Sequence, residues 1–260
     1  MPTTTRKPNL YRLLLLTFLA VPVANYLPFA LADGRAEARF ADDNFTYVQA
    51  AGYAFSIWGV IFIGMILFAW GRLRKDAETP TTALHQAMVY LIIAGMASIA
   101  FVPLSFGDNQ FLIWIDIAVH LLALILANFN LHKHCNIVSP GDNWRWSFFG
   151  PSVYMGWISA AFVISTALML DYMGFNPSNQ IAITLAMVLV GALFLVGRYL
   201  IHHRDIIYGS TVAWALVAVG VEQTAVPSLQ YLAWGGAIAL IALILTKVLS
   251  NKPTLYWRNR

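Results

Sequence analysis

Hydrophobic residues in this chain come in long runs, without the strict alternation of a half-buried strand or the sharp polar face of a surface helix. The runs extend from Leu10 to Leu31, Ala50 to Gly71, Leu84 to Phe106, Gln110 to Phe129, Ser147 to Leu170, Ile181 to Leu200, Ile206 to Val221 and Gln230 to Leu249. A helical run of about 20 residues crosses a bilayer core of about 30 Å. Backbone N–H and C=O groups in hydrocarbon must find partners inside their own segment. Uninterrupted runs of this length achieve that as helices, whereas barrel strands would be about 10 residues of alternating polarity. The pattern therefore predicts an all-α polytopic transmembrane helix bundle of about eight helices. No linker rich in Pro, Gly or Ser divides it, so residues 1–260 read as a single integral membrane domain.

Charge sets the orientation. The chain is 59% hydrophobic and 11% charged, with a mean hydropathy of +0.66, where soluble domains carry about 25% charged residues. Of the 16 Lys and Arg residues, all but Arg35 and Arg39 fall on the side that the two termini share. Those two lie in a loop with Asp33, Glu37, Asp42 and Asp43. The positive-inside rule then places both termini in the cytoplasm, N-in and C-in. The net charge of +4 is spread over helix flanks instead of gathered into a patch, so no nucleic-acid partner is expected and the lipid bilayer is. The single cysteine, Cys135, forms no intramolecular disulfide and falls in a cytoplasmic loop. The first segment, with basic residues, Leu13 to Ala24 and then Ala30, Leu31 and Ala32, also has the form of a cleaved signal peptide. Its apolar region exceeds the usual 7 to 15 residues, and a retained helix is the expectation.

Ionisable residues inside the spans are the first candidates for chemistry, because unpaired charge in hydrocarbon costs several kcal/mol. Asp116 and His120, four residues apart in the fourth span, share a helix face. A carboxylate and an imidazole there can share a proton in a relay or contact a ligand. They can equally satisfy each other or fix one helix against its neighbours. Glu222 and Gln223 end the seventh span at headgroup depth, and Gln86 sits at the inner end of the third; both read as interfacial or helix contacts. Nine Trp residues are present. Trp70, Trp144, Trp146 and Trp257 belong to an inner interfacial belt, while Trp58, Trp114, Trp157, Trp214 and Trp234 lie deeper, where a large ring lines a pocket or packs in the core. His132, His134 and Cys135 match no standard zinc spacing, so no metal site is expected. The chain has no phosphate loop, zinc helix or nucleophile elbow, and Lys247 lies at a helix end, away from a retinal position. No catalytic residue is assigned and no cofactor is expected.

The second span carries Gly52, Tyr53, Ala54, Phe55, Ser56, Ile57, Trp58 and Gly59, and the fifth carries Pro151, Tyr154, Gly156, Trp157, Ile158 and Ser159. Both closely resemble the tryptophan-rich sensory proteins related to the TspO/translocator family. Trp214, Ala215 and Leu216 in the seventh span add a weaker match. Relatives usually carry proline where Ala50 stands. The resemblance implies a bacterial inner-membrane protein that binds flat hydrophobic molecules such as porphyrins and other tetrapyrroles and acts in sensing, regulation or transport. It also implies a homodimer by analogy. Tyr53, Phe55, Trp58, Tyr154 and Trp157 carry over as ligand-binding residues, and Asp116 and His120 join them from the residue argument. The expected function is a ligand-binding membrane sensor or regulator. The alternatives are a proton-coupled secondary transporter of a small hydrophobic substrate and an intramembrane enzyme acting on a tetrapyrrole, carotenoid or lipid.

Overall fold

The computed structural model describes residues 8–31, 46–74, 81–106, 109–138, 148–174, 179–202 and 205–249. They form eight α-helices: α1 (Pro8–Leu31), α2 (Ile57–Arg74), α3 (Thr82–Ser105), α4 (Gln110–Val138), α5 (Phe149–Tyr172), α6 (Asn179–His202), α7 (Ile206–Glu222) and α8 (Pro227–Leu249). Six of these segments, with the 3-10 turn at Gly52–Ser56 counted into the second, are long and apolar enough to cross a membrane. The apolar α7 is shorter. No strand occurs among the described residues. The fold is the polytopic helical bundle that the hydrophobic runs predict.

Helix ends that the charge pattern puts on one side meet in space. At one end, Thr81 Oγ1 lies 2.8 Å from His134 Nδ1 and Ser152 Oγ donates to Asp205 Oδ2 at 2.9 Å. At the other, Gln223 Nε2 donates to Thr46 O at 3.2 Å and Ala51 N to Ala218 O at 3.1 Å. The contacts join α3 to α4, α5 to α7 and the lead-in of α2 to α7, as an alternating up-and-down path requires. The loop with Arg35 and Arg39 and the basic residues after Leu249 lie outside the described residues.

Helix α5 is the centre of the bundle and packs against α2, α4, α6 and α7. Its inner half, Gly150 to Ile158, is buried throughout, whereas α6 and α8 present large faces to lipid. Small residues permit the closest approaches. A Cβ on Gly150 would stand 2.5 Å from Gly64 C and O, so α2 and α5 cross backbone to backbone. A Cβ on Gly156 would meet Thr211 Cβ of α7 at 2.8 Å. In a membrane, where lipid is as apolar as leucine, such van der Waals contact holds helices together. Helix α1 belongs to the same core: Leu14, Phe18 and Val21 are buried, and the helix packs on α2 and α3.

Candidate functional site

The GYAFSIWG segment does not run straight into its helix. Residues Gly52–Ser56 form a 3-10 turn before α2 begins at Ile57, and Thr46 to Ser56 lies as a strap across the outer end of α7. Gln223, buried at the C-terminus of α7, donates from Nε2 to both Thr46 O at 3.2 Å and Gln49 O at 3.3 Å. Trp214 Nε1 donates to Ala54 O at 3.2 Å. The turn separates its two aromatic residues. Tyr53 goes outward, 43% exposed, and stands edge-on to Trp214 with ring centres 5.3 Å apart. Phe55 goes inward and meets Trp157 edge-on at 5.6 Å.

The fifth-span motif is equally specific in its uses. Pro151 occupies the first turn of α5, where a missing N–H breaks no helical hydrogen bond. Tyr154 and Trp157, three residues apart, share one face. Gly156, between them, admits α7, and Ser159 Oγ accepts a hydrogen bond from Tyr208 OH at 2.9 Å. Tyr154 is fully buried and is the hub of an aromatic group. Its ring stands edge-on to Phe18 at 6.2 Å, Trp58 at 6.0 Å and His120 at 4.9 Å. Its hydroxyl lies 2.5 Å from His120 Nε2.

Between the strap and the outer halves of α3, α4 and α5 is a cavity of about 110 Å³. Phe55, Trp58, His120 and Trp157 line it, with Gln49 from the strap and Ile117 from α4. Trp157 also borders a second void of about 10 Å³ toward α6 and α7, and with Ala50 and Ile164 it lies between the two. The structure thus brings four of the seven expected ligand-binding residues to one cavity. Tyr154 stands behind them and orients His120, and Tyr53 lies outside on Trp214.

Asp116 is placed differently from the shared-proton expectation. His120 Nε2 is committed to Tyr154, and Asp116 makes no hydrogen bond to it. Asp116 Oδ2 is buried with no hydrogen-bond partner among the described residues, and Asp116 does not line the cavity. The remaining deep tryptophans tie helices together: Trp114 Nε1 donates to Thr166 Oγ1 at 3.1 Å, and Trp234 packs on Gly220.

Two polar features went unread in the sequence. Gln223 appeared as an interfacial residue and is the latch of the strap. Asp205, just before the seventh run and not singled out from the sequence, is buried as the N-cap of α7. It accepts from Tyr208 N at 2.9 Å and from Ser152 Oγ, with His132 and Asn128 close by. An aspartate directly before an apolar run is an N-cap signal, and that spacing was the available clue.

The pattern of the TSPO-like protein family matches the chain over residues 11–246. No curated protein and no solved structure matches it. With nearly its whole length matched, and with a bundle of apolar helices that implies a lipid environment, the chain is an integral membrane protein that belongs to the TSPO-like protein family.

Proposed function

We propose that this protein binds a flat hydrophobic small molecule in the cavity under the strap and acts as a membrane sensor or regulator. The observation that carries the reading is the cavity wall. Phe55, Trp58, Trp157 and one imidazole line a partly open, mostly apolar space, which is the ordinary make-up of a small-molecule site. Membership of the TSPO-like family supports it. Binding of this kind needs no catalytic constellation and no cofactor. The bilayer of a bacterial inner membrane and a homodimer complete the proposal, carried from the family resemblance.

Intrinsic tryptophan fluorescence in lipid nanodiscs tests it. A porphyrin is titrated into the wild type and into Trp58→Phe and Trp157→Phe, with correction for inner-filter absorption. Saturable quenching at micromolar porphyrin that weakens in both variants assigns a tetrapyrrole. Saturable quenching by smaller apolar rings alone keeps the binding reading and removes the tetrapyrrole. No saturable response to either sinks the proposal.

One observation favours the second reading, a proton-coupled transporter. A buried carboxylate oxygen without a partner among the described residues, on Asp116 in the second turn of the spanning helix α4, is the type of group that marks proton pathways. Under that reading pH-driven substrate flux into liposomes is lost in Asp116→Asn. Under the binding reading Asp116→Asn leaves ligand affinity within about twofold, because Asp116 lies off the cavity.

A further inference from the structure

The cavity has a chemistry narrower than hydrophobic. No Lys, Arg, Asp or Glu lines it among the described residues. An anionic group inside would therefore lose its water with no cation to replace it, and a buried unpaired charge is strongly unfavourable. Most polar side chains on the wall are already occupied. Ser105 Oγ donates to Val102 O at 2.7 Å, and Ser98 Oγ accepts from Asn25 Nδ2 at 3.4 Å. His120 differs. It is 2% exposed, it borders the cavity, and its one hydrogen bond among the described residues uses Nε2. Nδ1 has no partner there. A polar atom on a side chain that borders a cavity pairs with what occupies that cavity, water or ligand.

Tyr154 makes this nitrogen adaptable. When the phenol donates to Nε2, the ring proton sits on Nδ1 and faces an acceptor. When Nε2–H donates to the phenol oxygen, the phenol proton turns to Ala94 O, 3.4 Å away, and Nδ1 accepts. Both tautomers are neutral, and each leaves Nδ1 with one hydrogen-bonding position to offer, on a side chain that borders the cavity. Size sets a further limit, since apolar cavities of about 150 Å³ take a single benzene ring, and this one is about 110 Å³.

We infer that the ligand of this cavity is a neutral, largely apolar molecule with one hydroxyl or carbonyl group, which pairs with Nδ1 of His120 while a ring or short chain packs between Trp58 and Trp157. The inference rests on the binding reading above and names its ligand class. Because no cation lines the wall among the described residues, carboxylate-bearing ligands, porphyrins with free carboxylates included, are disfavoured.

Equilibrium binding of radiolabelled 4-ethylphenol, ethylbenzene and 4-ethylbenzoate to the protein in nanodiscs tests this. An Ala161→Trp variant, which fills the cavity, supplies the background from lipid partition. The expected result is saturable 4-ethylphenol binding, with 4-ethylbenzoate at least tenfold weaker. His120→Leu weakens 4-ethylphenol about tenfold, the effect of one hydrogen bond, and leaves ethylbenzene unchanged. His120→Gln recovers part of the loss. Ethylbenzene binding also reports that the Leu variant is folded, and the comparison of phenol with benzoate on the wild type needs no variant. Equal affinity for benzoate and phenol overturns the inference while the cavity reading stands. So does a His120→Leu variant that weakens phenol and ethylbenzene alike. No binding of any probe above the filled variant overturns both.

Discussion

His120 on α4 and Tyr154 on α5 are joined by a hydrogen bond of 2.5 Å between two side chains that are almost wholly buried. The pair commits Nε2 of the ring to Tyr154 and ties two neighbouring helices together. Tyr154→Phe keeps the ring and its contacts with Phe18 and Trp58 but leaves Nε2 without its partner. The expected destabilisation is about 1–3 kcal/mol, the cost of a buried polar group left unsatisfied. Adding His120→Leu removes the orphan, so the double variant is less destabilised than the two single effects together. Thermal unfolding in detergent of both single variants and the double variant reads this; strict additivity would mean that the bond carries no coupling.

Much of the bundle was legible in the sequence because hydrocarbon is an unforgiving solvent. Runs of about 20 apolar residues have few alternatives to spanning helices, and eight helices are present at the eight runs, six of them long and apolar enough to cross a membrane. Their boundaries were less legible. The second run was expected from Ala50, yet a 3-10 turn precedes Ile57, since apolar composition says nothing about how a backbone enters its helix. The site was half legible. Trp58 and Trp157 could be named from motifs, and His120 from its cost in a membrane. That His120 bonds Tyr154 across helices and not Asp116 on its own helix depends on helix rotation, which four-residue spacing alone does not fix. Tyr53 and Phe55 are two residues apart and leave the turn on opposite sides, which only the turn geometry decides.

Glycine at the α2–α5 crossing supplies a clean contrast. Gly150→Ala places a methyl 2.5 Å from Gly64 C and O and 2.8 Å from Met65 N, all backbone atoms. No side chain can move aside there, so the helices must separate. The expected loss is about 1–3 kcal/mol or more, the usual cost of overpacking. Gly59→Ala, on the same α2 helix with nothing within 4 Å of the new methyl, gains helix propensity of about 1 kcal/mol. A thermal-shift comparison in which Gly150→Ala is as stable as the wild type would refute the backbone crossing.

Asp205, in the connection between α6 and α7, links stability to pH. Burial pushes its carboxyl above the usual aspartate range, and this outweighs the opposing effects of Tyr208 N–H, Ser152, His132 and Asn128. The folded state therefore holds the proton more tightly than the unfolded chain. The resulting stability is fully present below the ordinary aspartate value, about 3.9, and is lost as pH rises through the raised folded value. Asp205→Asn retains an N-cap side chain but does not titrate. The difference in stability between wild type and Asp205→Asn should shift against the wild type as pH rises from about 4 toward neutrality. A difference that stays constant over that range, or moves the other way, would show that the carboxyl is not held protonated. Asp205→Ala, which also loses the cap on Tyr208 N, should cost about 1 kcal/mol beyond Asn.

The strap over the cavity is held by few hydrogen bonds, and Gln223 makes two of them. Its side chain is 2% exposed, so Gln223→Leu preserves bulk while leaving the carbonyls of Thr46 and Gln49 without their donor. Ala51 N to Ala218 O and Trp214 Nε1 to Ala54 O remain, so the strap should open more often without detaching. Each lost hydrogen bond is worth about 1 kcal/mol net, and local opening exposes the amides that it protects. Hydrogen exchange at the amides of Ala51 and Ala54 should therefore accelerate about thirtyfold for the two bonds together, while amides in the buried half of α5 keep their wild-type protection. Because Gln49, Ala50 and Phe55 border the cavity, a bound ring should also dissociate faster from the variant. Wild-type exchange rates in the strap would place the latch elsewhere. Acceleration in α5 as well would show that Gln223 supports the bundle as a whole and not the strap.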